Sequence, residues 1–268
     1  LAAAIGLHLP RALMGSGRGR VVAIMGVFVT AGGLAMTGSR GGWIAGVLLT
    51  MGAGVFAMIR AGVRGKGRGG TALAFMALVC SFLVVGFALR GPIADRLGAA
   101  RTQVRDAMSG EVTGDTGARI AMKSGALAAV RAHTVLGVGT GGFRDWMTRR
   151  RGEGDRVATS GHAHDTLLHV AASNGLVGVA LLLAVFGFTL RDAWRNASKH
   201  GLGTYHAGPM FALVGLALAT PFDTLHVSAT AASVTGIVFA LCLAPPLDDD
   251  HEPLDIFADD RVRNAQKG

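Results

Sequence analysis

Long runs without a charged residue constrain this chain more than any other feature of its sequence. Residues 21–39, 43–59 and 71–89 contain no Asp, Glu, Lys or Arg. A helix needs about 20 mostly apolar residues to cross the hydrocarbon core of a bilayer, and each run approaches that length. Charged residues make up only 16% of the chain, against about 25% in ordinary soluble domains. The sequence therefore predicts an integral membrane protein.

The full pattern predicts an all-α, polytopic transmembrane helical bundle of about six spans. The predicted spans are residues 21–39, 43–59, 71–89, 174–190 (within a helix that starts near Thr166), 209–220 and 227–244. They form one membrane domain over residues 1–244, followed by a disordered tail over residues 245–268, where charged blocks replace the apolar runs. The first residues, LAAAIGLHLP, look like the end of an earlier apolar segment, so we expect a fragment or a misassigned start.

Basic residues set the predicted orientation. Short cytoplasmic loops are rich in Lys and Arg, and two short loops, residues 60–70 and 191–208, are basic. With both loops in the cytoplasm, the turn at Arg40, the long loop 90–164 and the turn PFDTLH (221–226) share the opposite face, and the tail is cytoplasmic. The net charge of +9 falls in blocks between apolar runs, so it indicates membrane topology rather than nucleic-acid binding.

The long loop is predicted to be partly helical. RTQVRDAM (101–108) and GARIAMKSGALAAVRAH (117–133) have helical character, and in the second the apolar residues can share one face. GVGTGGF (137–143) predicts a tight turn, because a dinucleotide site would need a strand before these glycines. RRRGEGDRVATSG (149–161) predicts a flexible loop.

The segment TGSRGGW (37–43) places Arg40 at a membrane boundary. A guanidinium at that depth is costly unless it reaches water or pairs with another group. Guanidinium binds phosphate through two parallel hydrogen bonds, which an ammonium does not match. Two interpretations remain open at this point: a phosphate-binding arginine, or an interfacial anchor beside Trp43, a typical aromatic-belt residue.

Three histidines cluster in HAHDTLLHVAASNGLVG (162–178), at His162, His164 and His169. His164 stands just outside the predicted span, where an imidazole with a pKa of about 6.5 can act as a general base or hydrogen-bond donor. A metal site with Asp165 as an added ligand is a second interpretation, although no Glu or Cys completes a typical zinc set. A cluster of interfacial polar residues is the third.

In their order and spacing, these segments resemble the O-antigen ligase-like membrane protein family, which includes O-antigen ligases, related polymerases and protein glycosyltransferases. TGSRGGW resembles the family's Ser-Arg-small segment at an external turn. The stretch 117–143 resembles the family's external helix. That helix begins with an Arg and is followed by a Gly-rich turn that ends in Phe. HDTLLHVAASNGLVG resembles the family's pattern of His, a polar residue, nine further residues and Gly-x-x-Gly, carried here by His164, Asp165, Gly175 and Gly178.

The resemblance covers about residues 20–245 and implies a membrane-embedded glycosyltransferase of lipid-donor type in the bacterial inner membrane. It would move a glycan from an undecaprenyl-diphosphate carrier to a hydroxyl of a glycolipid or glycan acceptor at the periplasmic face, with no metal and no other cofactor. Arg40 and Arg119 would bind the diphosphate, and His164 would be the catalytic residue near the acceptor or leaving group. Secondary candidates in the same loops are His162, Asp165, Arg131, Arg144, Asp223 and His226.

The chain departs from the family pattern in two respects. Asp165 stands where the family usually has an amide or hydroxyl residue, and the family usually has about twice as many spans. Two rival functions remain open. A polysaccharide polymerase would use the same donor chemistry with another lipid-linked glycan as acceptor. A transporter or flippase would use the same arginines to bind a lipid-linked or anionic solute, but transporters often carry internal repeats, and the sequence shows none.

Overall fold

The computed structural model describes residues 1–64, 68–88, 90–109, 114–151 and 161–244. The predicted tail, residues 245–268, lies outside them, as do residues 152–160 of the long loop. All regular structure within the described residues is helical, which confirms the predicted all-α class. The α-helices are α1 (Ala2–Met14), α2 (Gly17–Met36), α3 (Arg40–Arg64), α4 (Arg68–Ala88), α5 (Arg90–Met108), α6 (Gly114–Ala132), α7 (Phe143–Arg151), α8 (Thr166–His200), α9 (Gly208–Ala219) and α10 (Ala229–Leu243).

Among the described residues, three helices are long and apolar enough to cross a membrane: α2, α3 and α8. The apolar parts of α4, α9 and α10 are shorter, so the number of six spans stays a prediction. On the outer face of α2, apolar side chains are exposed, with Val22 at 66% and Val29 at 73%. Such a face is unfavourable in water and suits contact with lipid.

Helix α1 lies at the centre of the bundle. It packs against α2, α3 and α9, and its Ile5, Leu9 and Leu13 side chains are fully buried. The backbones of α1 and α9 can approach closely at Gly6 because this residue has no side chain. A Cβ at this position would overlap the Phe211 backbone. Small residues at helix interfaces permit this kind of contact in membrane proteins.

Helices α5, α6 and α7 and the start of α8 form a smaller packing unit at one end of the bundle. α6 contacts α5, α7 and α8 around a separate apolar cluster that includes Phe143 and Met147. The two helices expected in the long loop are thus confirmed as α5 and α6. The flexible loop expected over residues 149–161 is wrong at its start, because α7 continues to Arg151.

Helix α8 starts at Thr166, as expected, and is broken at Gly175, where φ is +65° and ψ is −166°. The turn at residues 134–139 lies at the break and forms backbone hydrogen bonds with the parts of α8 before and after Gly175. From the turn, the Val138 amide donates to the Ala172 carbonyl at 2.8 Å and the Gly139 amide to the Ser173 carbonyl at 2.9 Å. From α8, the Leu176 amide donates to the Thr134 carbonyl at 2.9 Å. The close approach at Gly175 is therefore to the backbone of a turn.

We expect Gly175→Ala to destabilise the protein by about 1–3 kcal/mol, the usual cost of a strained backbone conformation. A side chain at positive φ is strained, and its Cβ would also overlap the Val135 carbonyl. Gly187→Ala is the matched control, because Gly187 lies in the same helix and faces open space. Thermal unfolding in detergent measures both variants, and equal midpoints would contradict the role assigned to the break.

Candidate functional site

A polar cleft of about 500 Å³ opens at the end of the bundle that carries α6 and the start of α3. Its lining comes from four chain segments: residues 38–42, residues 115–123, His164, and a turn at residues 219–225. These segments are far apart in sequence, so only the packed helices bring them together. The Ser-Arg-small segment, α6 and the histidine segment therefore meet in one place.

The described lining of the cleft carries more positive than negative charge. Arg40, Arg119 and Lys123 supply the cations, and Asp115 and Asp223 supply the carboxylates. Guanidinium groups bind phosphate oxygens in fixed geometry, and an ammonium adds a point charge. The cleft thus suits an anion with several phosphate oxygens.

Arg40 is the first residue of α3, so the start of the helix places its side chain at the cleft. Its Nη2 donates to Thr116 Oγ1 of α6 at 3.2 Å. Gly41 leaves room for the turn at residues 219–225 on the other side of the cleft, because a Cβ at this position would overlap the Phe222 side chain. The small residue after Arg40 therefore lets two sides of the cleft close around the guanidinium.

Arg119 and Lys123 are four residues apart on α6 and so face the same side of the helix. Arg119 Nη1 donates to the Phe222 carbonyl at 2.8 Å, and Lys123 Nζ donates to the Pro221 carbonyl at 2.7 Å. Lys123 also pairs with Asp165 Oδ2 at 3.2 Å. The sequence interpretation placed Arg119 in the site and missed Lys123, although the spacing of four residues was a signal that pointed to it.

His164 is the one non-glycine residue of the described chain with a positive φ, at +51°. The residues that follow fix this conformation. Asp165 caps α8, since its Oδ1 accepts from the Leu168 amide at 3.0 Å. The Thr166 hydroxyl donates to the Asp223 carbonyl at 2.8 Å. Strained backbone is retained where the surroundings over-determine it, and such residues cluster at functional sites.

The imidazole of His164 faces Asp223 rather than its sequence neighbour Asp165. Nδ1 of His164 lies 3.6 Å from Oδ1 of Asp223, and the His164 side chain is only 20% exposed. The Thr224 amide donates to the same Oδ1 at 2.8 Å. The His164 imidazole lowers the pKa of the Asp223 carboxyl, burial opposes this shift, and the Thr224 amide reinforces it. Asp223 therefore stays ionised beside Nδ1, which leaves Nε2 as the nitrogen that can meet a substrate.

His162 lies next to His164, with ring centroids 4.1 Å apart, and its Nδ1 is buried without a hydrogen-bond partner in the described chain. Burial, and then the charge of a protonated His164, lower the pKa of His162 from 6.5. The folded protein thus binds fewer protons here than the unfolded chain. This contribution to stability is complete above about pH 6.5 and declines as the pH falls below that value.

We therefore expect the melting temperature of the protein to fall between about pH 6.5 and pH 5, and the His162→Asn variant to show a smaller decline. Differential scanning fluorimetry in detergent across this range measures both slopes. Exposed His133 provides the matched control, and His133→Asn should keep the slope of the original protein. A His162→Asn variant with that same slope would contradict this assignment.

The other candidates lie outside the cleft. The His226 side chain borders an apolar pocket beside α8 and α10, and its ring is 5.5 Å from that of His169. Arg131 and Arg144 are exposed and do not line the cleft. Within the described ranges, no three His, Cys, Asp or Glu side chains are grouped to hold a metal ion. Of the clustered histidines, His164 lines the cleft, whereas His169 lies beside His226.

Comparison with known proteins identifies the chain's relatives. A family model described as O-antigen ligase matches residues 25–183, which is more than half of the chain. The matched region includes Arg40, Arg119 and His164, and it ends before the turn that carries Asp223. No curated protein matches the chain. The family match agrees with the resemblance that the sequence segments indicate.

Proposed function

Because the chain belongs to the O-antigen ligase family, we propose that it transfers a glycan from an undecaprenyl-diphosphate carrier to an acceptor hydroxyl at the periplasmic face of the inner membrane. The family is one of bacterial membrane glycosyltransferases of ligase or polymerase type, which act on lipid-linked glycans. The observation that carries the proposal is the single cleft that joins Arg40, Arg119 and His164.

The cationic side of the cleft matches the chemistry of the leaving group. Transfer breaks the bond between the sugar's anomeric carbon and the diphosphate oxygen, so negative charge develops on the diphosphate. Arg40 and Arg119 approach the cleft from different helices and are held by Thr116 and the Phe222 carbonyl. Donors fixed before the reaction stabilise developing charge without reorganisation, and Lys123 adds a third positive charge nearby.

His164 supplies the other half of the reaction. The acceptor hydroxyl must lose its proton as its oxygen attacks the anomeric carbon, and Nε2 of His164 accepts that proton. The Asp223 carboxylate beside Nδ1 stabilises the imidazolium that forms, as a carboxylate does in other His-dependent sites. The products are the new glycosidic bond and the free carrier diphosphate.

The acceptor distinguishes a ligase from a polymerase of the same family, and we propose the ligase. Deletion of the gene tests this choice through the lipid-linked glycans that accumulate, measured by mass spectrometry of extracted lipids. Accumulation of long polymer on the carrier supports a ligase, because chains are built but not transferred. Accumulation of single repeats on the carrier indicates a polymerase, and an unchanged glycan pool contradicts glycan transfer altogether.

A further inference from the structure

A second polar pocket, of about 360 Å³, lies at the opposite end of the bundle from the cleft. Its walls come from the connection between α1 and α2, the end of α3, the start of α4, and the connection between α8 and α9. Arg20 and Arg60 line it together with Ser16, and no carboxylate is among its described lining residues. Nothing in the proposed transfer reaction uses this pocket.

The two arginines are held differently. Arg20 is fixed by the backbone, because its Nε donates to the Ala12 carbonyl at 3.1 Å and its Nη2 donates to the Gly70 carbonyl. Arg60 stacks on Phe56, with the guanidinium carbon 5.8 Å from the ring centroid. Nε of Arg60 is buried and has no hydrogen-bond partner among the described residues. A buried charged donor without an acceptor is costly, and Arg60, which carries this donor, lines the pocket.

The position of the pocket along α3 places it at a membrane boundary. Arg40 and Arg60 are on the same helix, 20 residues apart, which corresponds to about 30 Å at the helical rise. This is about the thickness of the hydrocarbon core. With the cleft at one boundary, Arg60 lies at the headgroup level of the other, and there anionic lipids present their phosphates to basic pockets between helices.

We propose that the pocket lined by Arg20 and Arg60 is a binding site for a phosphate-bearing anion, filled in the membrane by the headgroup of an anionic phospholipid. The guanidinium of Arg60 hydrogen-bonds the phosphate, and Arg20 adds the second positive charge. The bound headgroup also joins the ends of α3 and α4 to the connection between α1 and α2. The ligand stabilises the end of the bundle farthest from the transfer cleft.

The test uses the full chain, purified and incorporated into phosphatidylcholine nanodiscs with added phosphatidylglycerol. Native mass spectrometry counts the retained phosphatidylglycerol. Arg60→Gln is expected to weaken its binding about tenfold, which corresponds to the loss of one charge-assisted hydrogen bond. Ser16→Glu, at an exposed lining position, places a carboxylate beside the arginines and should weaken binding to a similar extent, whereas Ser16→Gln should not.

Arg18→Gln is the matched control, since Arg18 is an exposed arginine on the same segment that does not line the pocket. A second arm omits the anionic lipid and titrates inorganic phosphate while the melting temperature is recorded. Stabilisation by phosphate that Arg60→Gln abolishes identifies a soluble phosphate compound as the source. Retained phosphatidylglycerol in the first arm, with no stabilisation by phosphate in the second, identifies the lipid. Equal binding by Arg60→Gln and the unmodified protein, or equal losses in Arg18→Gln and Arg60→Gln, overturns the proposal.

Discussion

Replacement of His164 by asparagine is expected to reduce glycan transfer by about 10²–10⁴-fold, the usual contribution of a general base. Asparagine tolerates a positive φ better than most residues, so the strained backbone at this position is retained. The substitution removes the proton acceptor near the acceptor hydroxyl while the connection into α8 stays intact. The measurement is transfer in membranes from a strain that lacks the native gene, with protein levels compared by immunoblot.

Two companion variants separate chemistry from structure in this experiment. His162→Asn changes the neighbouring imidazole, whose ring centroid is 4.1 Å from that of His164, and it should retain most of the transfer activity. Asp223→Asn removes the carboxylate beside Nδ1, so we expect reduced turnover with a shifted pH profile but unchanged membrane insertion. Normal transfer by His164→Asn at normal protein level would remove His164 from the mechanism.

Arg40→Lys is expected to lower glycan transfer by about 10²–10³-fold, the range measured when one preorganised donor to a developing oxyanion is lost. Lysine keeps the charge but not the planar pair of donors that fits two phosphate oxygens. It also cannot reproduce the guanidinium that donates to Thr116 across the cleft. Arg119→Lys should behave in the same way, because the Arg119 guanidinium approaches the same cleft from α6.

Arg131→Lys is the matched control for these two variants, since Arg131 lies on the same helix as Arg119 but does not line the cleft. Its transfer activity should be unchanged. Activity is measured with a lipid-linked donor at several concentrations. Replacing an arginine that binds the diphosphate and stabilises the leaving group lowers the maximal rate as well as the affinity for the donor. Full activity in Arg40→Lys would favour the interpretation of Arg40 as an interfacial anchor.

Helices long and apolar enough to cross a membrane could be predicted from sequence because the bilayer imposes one simple requirement on them. A stretch such as residues 43–59 must be apolar and about 20 residues long, and both properties are visible without tertiary structure. Arg40 and His164 were proposed as site residues for the related reason that a polar residue at a membrane boundary needs an explanation. The family resemblance then joined them to Arg119 in one site.

The contacts within the site could not be predicted, because they depend on how separate helices pack. Asp165 is adjacent to His164 in the chain, yet the imidazole of His164, whose backbone has a positive φ, faces Asp223. Lys123 instead holds the Asp165 carboxylate. The break at Gly175 was equally hidden, since a glycine within an apolar run gives no sign that a distant turn will occupy its place.

The broken helix α8 also constrains how the protein is assembled during synthesis. Residues 134–139 leave the ribosome before α8, and their backbone groups complete the hydrogen bonding of the residues around Gly175. A break near a membrane boundary is tolerated only when its backbone groups find partners. With the proposed periplasmic placement of this loop, the turn at residues 134–139 can complete these hydrogen bonds only after the loop has been translocated. The proposed topology thus links the completion of a late helix to the export of an earlier loop.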